Sequence, residues 1–277
     1  MIVTVVPEEQ PDQMGVPVSD RGLAYGDGLF ETILVVNGRP QLLDAHRQRM
    51  LQGAERLAIP LTPAELCDAL ASICDRLASA SDRQVLKLIL TRGSGGRGYR
   101  PSQESEPRLI VFLSPAPAPL SLDGVAVVTS TIPLTVNPVL AGIKTLNRLE
   151  QVMASRDIPV DCFEALMAGT EGDLREGTRT ALLYRWQDQW WTPPRDKVAV
   201  HSVMLGHVER GLAQRGEGLK EAMLFPDQLW QPEFSGLLLL NSVIGAVPVQ
   251  TLDGRRLPQS GQLATIVSLA KQPEELC

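Results

Sequence analysis

Lys144 stands out as the residue best placed for chemistry. It closes the stretch Asn137-Pro138-Val139-Leu140-Ala141-Gly142-Ile143-Lys144 and precedes a segment of helical composition; of 26 basic residues, only Lys87, Lys144, Lys197, Lys220 and Lys271 are lysines. An amine flanked by Gly142, Ile143 and Leu146 is partly desolvated, which lowers its pKa and frees it to attack a carbonyl. The competing reading is a helix-start lysine that snorkels into water. Two further groups carry the same ambiguity. The run Ser19-Asp20-Arg21-Gly22-Leu23-Ala24-Tyr25-Gly26-Asp27-Gly28-Leu29-Phe30-Glu31-Thr32 concentrates glycines, acids and an arginine before a strand, as a site or as a tight turn. His46-Arg47-Gln48-Arg49 opens a helix, where Arg49 either forks onto a phosphate or lines a solvated face.

The elements that must position these groups follow from pattern. Residues 2–6 and 30–36 have strand composition, and Asn37-Gly38 signals a hairpin into 39–43. Asp44 is expected to cap a helix over 45–57, and Thr62 one over 63–79. Strands are expected over 85–91 and 108–114, separated by the polar, glycine-rich stretch 92–107. Pro115-Ala116-Pro117-Ala118-Pro119-Leu120 reads as a semi-rigid linker, giving an N-terminal α+β domain (1–114), a linker (115–121) and a C-terminal domain (122–277). In the latter we expect strands at 125–131, 163–168, 180–186, 190–192, 236–240 and 247–251, and helices over 145–156, 202–214 and 260–271. Regular βαβ alternation is absent, which weakens a Rossmann reading.

Whole-chain properties narrow the classes. A chain of 277 residues with 44% hydrophobic and 21% charged content is that of a folded protein of two domains. A net charge of −6 argues against a nucleic-acid binder and for a small-molecule substrate. Met1 to Glu9 has no basic n-region and no apolar run could span a bilayer, so no membrane association and a cytoplasmic location are expected. Cys67, Cys74, Cys162 and Cys277 have no metal-ligand spacing, and Cys67 and Cys74, seven apart, are expected as buried thiols on one helix face.

Four motifs in order carry a resemblance: Asp20-Arg21-Gly22 through Tyr25-Gly26-Asp27-Gly28 to Phe30-Glu31-Thr32; His46 with Arg49; Thr91-Arg92-Gly93-Ser94-Gly95-Gly96-Arg97-Gly98-Tyr99; and Gly142-Ile143-Lys144-Thr145-Leu146-Asn147-Arg148-Leu149-Glu150-Gln151. Together they resemble the fold-type IV pyridoxal-phosphate enzymes, which include branched-chain and D-amino-acid aminotransferases and aminodeoxychorismate lyase. The last two motifs resemble the lyase branch most. The resemblance implies an α/β (α+β) fold with a small N-terminal α/β domain and a larger, mixed, β-barrel-like C-terminal domain, a homodimer, and pyridoxal 5'-phosphate as cofactor. It implies that Lys144 carries the cofactor as a Schiff base and then acts as acid and base, and that Arg49 holds the phosphate. Glu176 would face the pyridine nitrogen, with Thr178, Leu205, Gly206, Asn241 and Ser242 as further cofactor-binding residues. Tyr25, Thr32, Arg97 and Arg148 would contact substrate. The implied reaction takes 4-amino-4-deoxychorismate to 4-aminobenzoate and pyruvate; the alternatives are an aminotransferase of the same fold and a non-catalytic cofactor-binding paralogue.

Two positions depart from the family pattern. Ala181 stands where members usually carry Asn, and Ser202-Val203-Met204-Leu205-Gly206-His207-Val208 replaces a Gly-Val-x-Gly-Val-x-Arg segment, displacing the glycine and losing the arginine.

Overall fold

The computed structural model describes residues 1–5, 15–77, 83–95, 97–102, 105–121 and 123–271. The chain folds as two compact units: the first draws on Met1–Pro117 and takes back Ile143–Asn147, and the second draws on Ala118–Gly142 and residues 148–271. The lysine segment therefore belongs to the first unit.

That unit is a five-stranded sheet. Its strands are β1 (Ile2–Val5), β2 (Gly28–Val36), β3 (Arg39–Pro40), β4 (Gln84–Thr91) and β5 (Arg108–Pro115), ordered β1-β5-β4-β2-β3. The helices are α1 (Arg21–Tyr25), α2 (Leu43–Arg56) and α3 (Pro63–Leu77). β2 runs antiparallel to β4 in unbroken register from Gly28↔Thr91 to Val35↔Gln84. Asn37 and Gly38 both have positive φ (51° and 75°), as a two-residue hairpin matching the strands' twist requires. Met50 and Ala54 of α2 and Leu66, Leu70, Ile73 and Leu77 of α3 are buried with Ile33, Val35, Leu86 and Leu88 of the sheet. Each of these side chains larger than alanine contributes roughly 1.5–3 kcal/mol on burial.

Local signals decide where the helices start. Thr62 Oγ1 accepts from the Glu65 amide at 3.2 Å while Glu65 Oε2 accepts from the Thr62 amide at 2.9 Å, a reciprocal cap that fixes α3 at the expected residue. The cap expected at Asp44 is not there. The tight hairpin delivers the chain straight into α2 through Leu42, which is buried and left-handed (φ 55°), and Asp44 sits inside the first turn, bound to Arg47. Cys67 is exposed and Cys74 half-buried, contrary to the expectation of two buried thiols, because both lie one position off the apolar stripe of α3. Cys277 lies outside the described residues.

In the second unit the strands are β6 (Val125–Thr129), β7 (Glu164–Ala168), β8 (Leu174–Gly177), β9 (Ala181–Trp186), β10 (Gln189–Thr192), β11 (Leu219–Glu221), β12 (Phe234–Asn241), β13 (Gly245–Leu252) and β14 (Arg255–Arg256). The neighbour order β9-β12-β13-β6-β7-β8 is closed by pairing of β8 back onto β9 at Glu176↔Ala181, so six strands form a barrel, with β10 and β11 extending the sheet beyond it. Val127, Leu166, Leu174, Leu182, Tyr184, Leu237, Leu239, Val247 and Val249, drawn from all six strands, pack in one cluster. The helices are α4 (Leu149–Arg156), α5 (Val203–Gln214) and α6 (Leu263–Leu269).

Pattern reading failed at two informative places in this part of the chain. The helix expected over 145–156 starts only at Leu149, because Thr145 and Leu146 are drawn into hydrogen bonding along β2. β8 had no apolar alternation to reveal it: Arg175 and Glu176 are both buried, the first paired with Asp173 and the second bound by main-chain amides. Among the described residues no helix is long and apolar enough to cross a membrane.

Candidate active site

Lys144 is presented by backbone pairing rather than by a helix. Its carbonyl accepts from the Phe30 amide at 2.9 Å, the Leu146 amide donates to the Gly28 carbonyl at 3.0 Å, and Thr145 bridges Leu29, so residues 144–146 act as a short extra strand on the edge of β2. Gly26 makes room for the end of this segment. It closes α1 with φ 66°, its carbonyl accepts from Asn147 Nδ2, and a Cβ there would lie 2.4 Å from Asn147 Oδ1. Lys144 is half-buried, and its Nζ stands 4.4 Å from the centre of the Phe30 ring.

On the opposite face of β2, Glu31 meets the first turns of α2. Its carboxylate accepts from Arg49 through Nε (2.7 Å) and Nη2, and its Oε2 lies 2.6 Å from His46 Nδ1. All three side chains are close to fully buried. Burial pushes the Glu31 carboxyl up, but the charges and hydrogen bonds of Arg49 and His46 outweigh it and hold it at about 2. Burial pushes the His46 imidazole down from its usual value, and the charges of Arg49 and Lys144 push the same way, against the pull of Glu31. His46 is thus neutral at pH 7, with its proton on the nitrogen that faces Glu31. Arg49, expected on a phosphate, is turned by this pairing into a fixed guanidinium beside α2.

The remaining first-unit candidates divide. Thr32 is half-buried on β2 opposite Lys87. Tyr25 and Tyr99 meet edge to face, with centroids 5.6 Å apart, and Arg97 is exposed two residues before Tyr99.

In the second unit a cavity of about 60 Å³ is lined by Glu176, Ala181, His201, Ser202, Leu205 and Gly206, among others. Glu176 is 5% exposed, and its Oε2 accepts from the amides of Ala199 (2.9 Å) and Val200 (3.3 Å). Ser202 caps α5 by accepting from the Leu205 amide at 3.2 Å, which puts the start of that helix in the cavity wall. A Cβ added to Gly206 would meet only Arg210, at 3.9 Å, so the space beside the first turn is open. A helix start with open space and a buried carboxylate in one cavity suit an anion and a protonated ring nitrogen respectively.

Thr178 and Asn241 have hydrogen-bond partners within the protein. The Thr178 hydroxyl donates to Glu164 at 2.5 Å, and this fully buried acid also takes the Thr180 hydroxyl and the amides of Ala165, Thr178 and Arg179. Asn241 accepts from the amides of Val243 and Ile244 and donates to the Arg179 carbonyl. These contacts hold the turn that follows Glu176. Ser242 is half-buried in the turn after β12, and Arg148 occupies the residue before α4. Sequence reading overlooked Glu31 and Glu164. A signal for the first existed: an acid at a core-facing position of an apolar strand, with His and Arg three apart on the next helix.

The family model for amino-transferase class IV matches residues 28–252. In structure the chain is similar to 4-amino-4-deoxychorismate lyase from Pseudomonas aeruginosa, with a TM-score of 0.85 and 35% identity, covering 94% of this chain and 96% of that one. It is also similar to a hypothetical aminotransferase from Mycobacterium tuberculosis in its PLP-bound form (TM-score 0.79, 26% identity, 94% and 93% covered). In sequence it is 29% identical over 289 residues to a bifunctional aminodeoxychorismate lyase / D-amino acid transaminase of Mycobacterium tuberculosis, covering 94% of each. With that match across both units and the mixed α/β barrel that the solved structures share, the chain belongs to the amino-transferase class IV family and has the fold of the type IV pyridoxal-phosphate enzymes.

Proposed function

We propose that the chain is a pyridoxal-phosphate-dependent lyase that converts 4-amino-4-deoxychorismate into 4-aminobenzoate and pyruvate. The observation that carries the cofactor is the Glu176 cavity, whose buried carboxylate and open α5 start suit the ring nitrogen and phosphate of that molecule. The substrate rests on the likeness to the Pseudomonas aeruginosa lyase, at 35% identity over nearly the whole chain.

When bound, pyridoxal phosphate supplies an electron sink for the carbon attached to the substrate amine. The work of this chain's residues is then mostly placement and proton transfer. Lys144 Nζ holds the cofactor at rest, takes the proton from the ring carbon that bears the amino group, and gives it to the methylene carbon of the departing enolpyruvyl group. The carbon–oxygen bond to that group breaks, pyruvate leaves, and the ring becomes aromatic, so one proton is moved and none is gained or lost. Glu176 keeps the ring nitrogen protonated. The amides at Leu205 and Gly206 would take the phosphate, with Ser242 in support; Thr178 and Asn241 would act through the turn that they secure. Tyr25, Thr32, Arg97 and Arg148 meet the substrate.

The deciding experiment supplies 4-amino-4-deoxychorismate to the cofactor-loaded protein and follows 4-aminobenzoate and pyruvate, which should appear one to one. Glu176→Gln should lower kcat by about 10²-fold, the loss typical of removing one preorganised electrostatic partner. A second reading, D-amino-acid transamination, is favoured by the bifunctional mycobacterial relative. It would prevail if no 4-aminobenzoate formed while D-alanine was turned into its 2-oxo acid.

A homodimer is part of the same proposal. It is supported by the resemblance and by the exposed apolar side chains Leu149, Val152 and Met153, which share one face of α4. Sedimentation velocity should give twice the chain mass, and a monomer at micromolar concentration would reject it.

A further inference from the structure

Arg21, the first residue of α1, is only 3% exposed, and its guanidinium is committed in three directions. Nε donates to Asp27 Oδ2 at 2.9 Å, Nη1 to the Gly98 carbonyl at 3.0 Å and Nη2 to the Tyr99 carbonyl at 2.7 Å. The guanidinium carbon also lies 4.9 Å from the centre of the Tyr25 ring. Yet the segment it grips is at the surface: Arg97 to Arg100 are exposed, and Tyr99 is 86% exposed. A buried, always-charged fork is thus spent on two carbonyls of a surface segment more than seventy residues away in the chain.

The fork itself is rigidly seated. Asp20 caps α1 through the Gly22 amide (2.8 Å), accepts the Thr91 hydroxyl (2.9 Å) and has Arg108 Nε at 3.4 Å; the Arg21 amide donates to the Gly93 carbonyl (2.9 Å). Asp27 is shared with Arg92, which donates to it through Nε and Nη2. Burial pushes the Asp27 carboxyl up, but hydrogen bonds and charge from Arg92 and Arg21 prevail and hold it below its ordinary value. Gly95 allows the main chain to pass against the arginine stem, since a Cβ there would sit 2.7 Å from Arg21 Cδ. The three acceptors meet three separate nitrogens of a planar fork, and the single nitrogen of an ammonium cannot stand at all three positions.

We propose that Arg21 is a positioning residue that fixes the 97–99 segment, so that Arg97 and the Tyr25–Tyr99 pair form a preformed surface for the carboxylate and flat unsaturated ring of an organic-acid substrate. This rests on the substrate reading above. Holding the segment in advance removes an ordering cost that binding would otherwise bear.

The test uses Arg21→Lys in the cofactor-loaded protein, and Gly95→Ala, which presses on the stem while leaving the guanidinium chemically intact, should Arg21→Lys fold poorly. Trypsin should cut after Arg97 about tenfold faster or more, the loss expected when a charge-assisted hydrogen bond goes, with its other sites unchanged. With 4-amino-4-deoxychorismate, KM should rise about tenfold while kcat stays within about threefold, as expected for lost substrate binding alone. In an Arg97→Gln background, Arg21→Lys should add little to KM, because it acts through the same residue. Unchanged cleavage after Arg97, a fall in kcat at constant KM, or full additivity of the two substitutions would each overturn the proposal. The proteolysis needs no substrate, so its failure sinks the clamp alone, whereas an inactive wild type sinks the lyase reading alone.

Discussion

Replacing Lys144 with alanine is expected to lower kcat by about 10²–10⁴-fold, the range that a positioned acid–base group supplies. The visible absorbance of lysine-bound cofactor should vanish with it. The fold should survive, because the segment is held by main-chain bonds from Phe30 and to Gly28 that alanine keeps. What is lost structurally is the contact of Nζ with the Phe30 ring, about 0.5–1 kcal/mol at a partly exposed site. Stopped-flow absorbance, kcat and a thermal melt on the same sample separate these effects. An alanine variant that kept wild-type kcat would end the assignment of Lys144.

The largest effect on stability is expected at Glu31. Removing it leaves the Arg49 guanidinium without its carboxylate in a nearly closed site, and breaking a buried pair from one side costs about 3–5 kcal/mol. Glu31→Leu should therefore lower the urea midpoint sharply at pH 7. The same triad predicts a pH dependence. The Glu31 carboxyl is held at about 2 against 4.5 when unfolded, so its contribution is fully present above pH 4.5 and lost as pH falls toward 2. The shift of about 2.5 units corresponds to roughly 3 kcal/mol. His46 is also depressed, from 6.5, so its share is intact above that value and erodes as pH falls below it. Wild-type stability should thus begin to fall below pH 6.5 and drop steeply below 4.5, while Glu31→Gln loses the steep part. Urea titrations from pH 7 to 2.5 check this; parallel curves for the two proteins would refute the ionised Glu31–Arg49 pair.

Much of the first unit was legible in the sequence because its signals are local: the Asn37-Gly38 turn, the Thr62–Glu65 cap and the strand composition of residues 30–36 all act within a few residues. The lysine segment was legible as chemistry but not as structure. Its helical composition is overridden by the free edge of β2, a partner more than a hundred residues away, and no periodicity reports a three-residue strand. β8 was hidden for a related reason. Its buried residues are polar and become acceptable in the interior only through partners, Asp173 for Arg175 and the Ala199 and Val200 amides for Glu176, that pattern does not reveal. Resemblance found Glu176, Leu205 and Gly206, and their shared cavity wall gives the grouping a physical basis. It gave Thr178 and Asn241 a ligand's role, whereas their polar atoms are engaged with Glu164, the 243–244 amides and the Arg179 carbonyl. Motif matching records that such residues matter without saying whether they touch the ligand or brace what does.

The return of residues 143–147 to the first unit also bears on how this chain can be recombined. Because the backbone passes from one unit to the other after Pro117, back after Gly142 and over again after Asn147, neither unit is a contiguous cassette. A fragment ending at Pro117 would leave the edge of β2 without its borrowed strand at Gly28 and Phe30. Lineages or engineers exchanging first units between relatives must therefore carry a five-residue graft from the middle of the other half, and that graft contains the lysine.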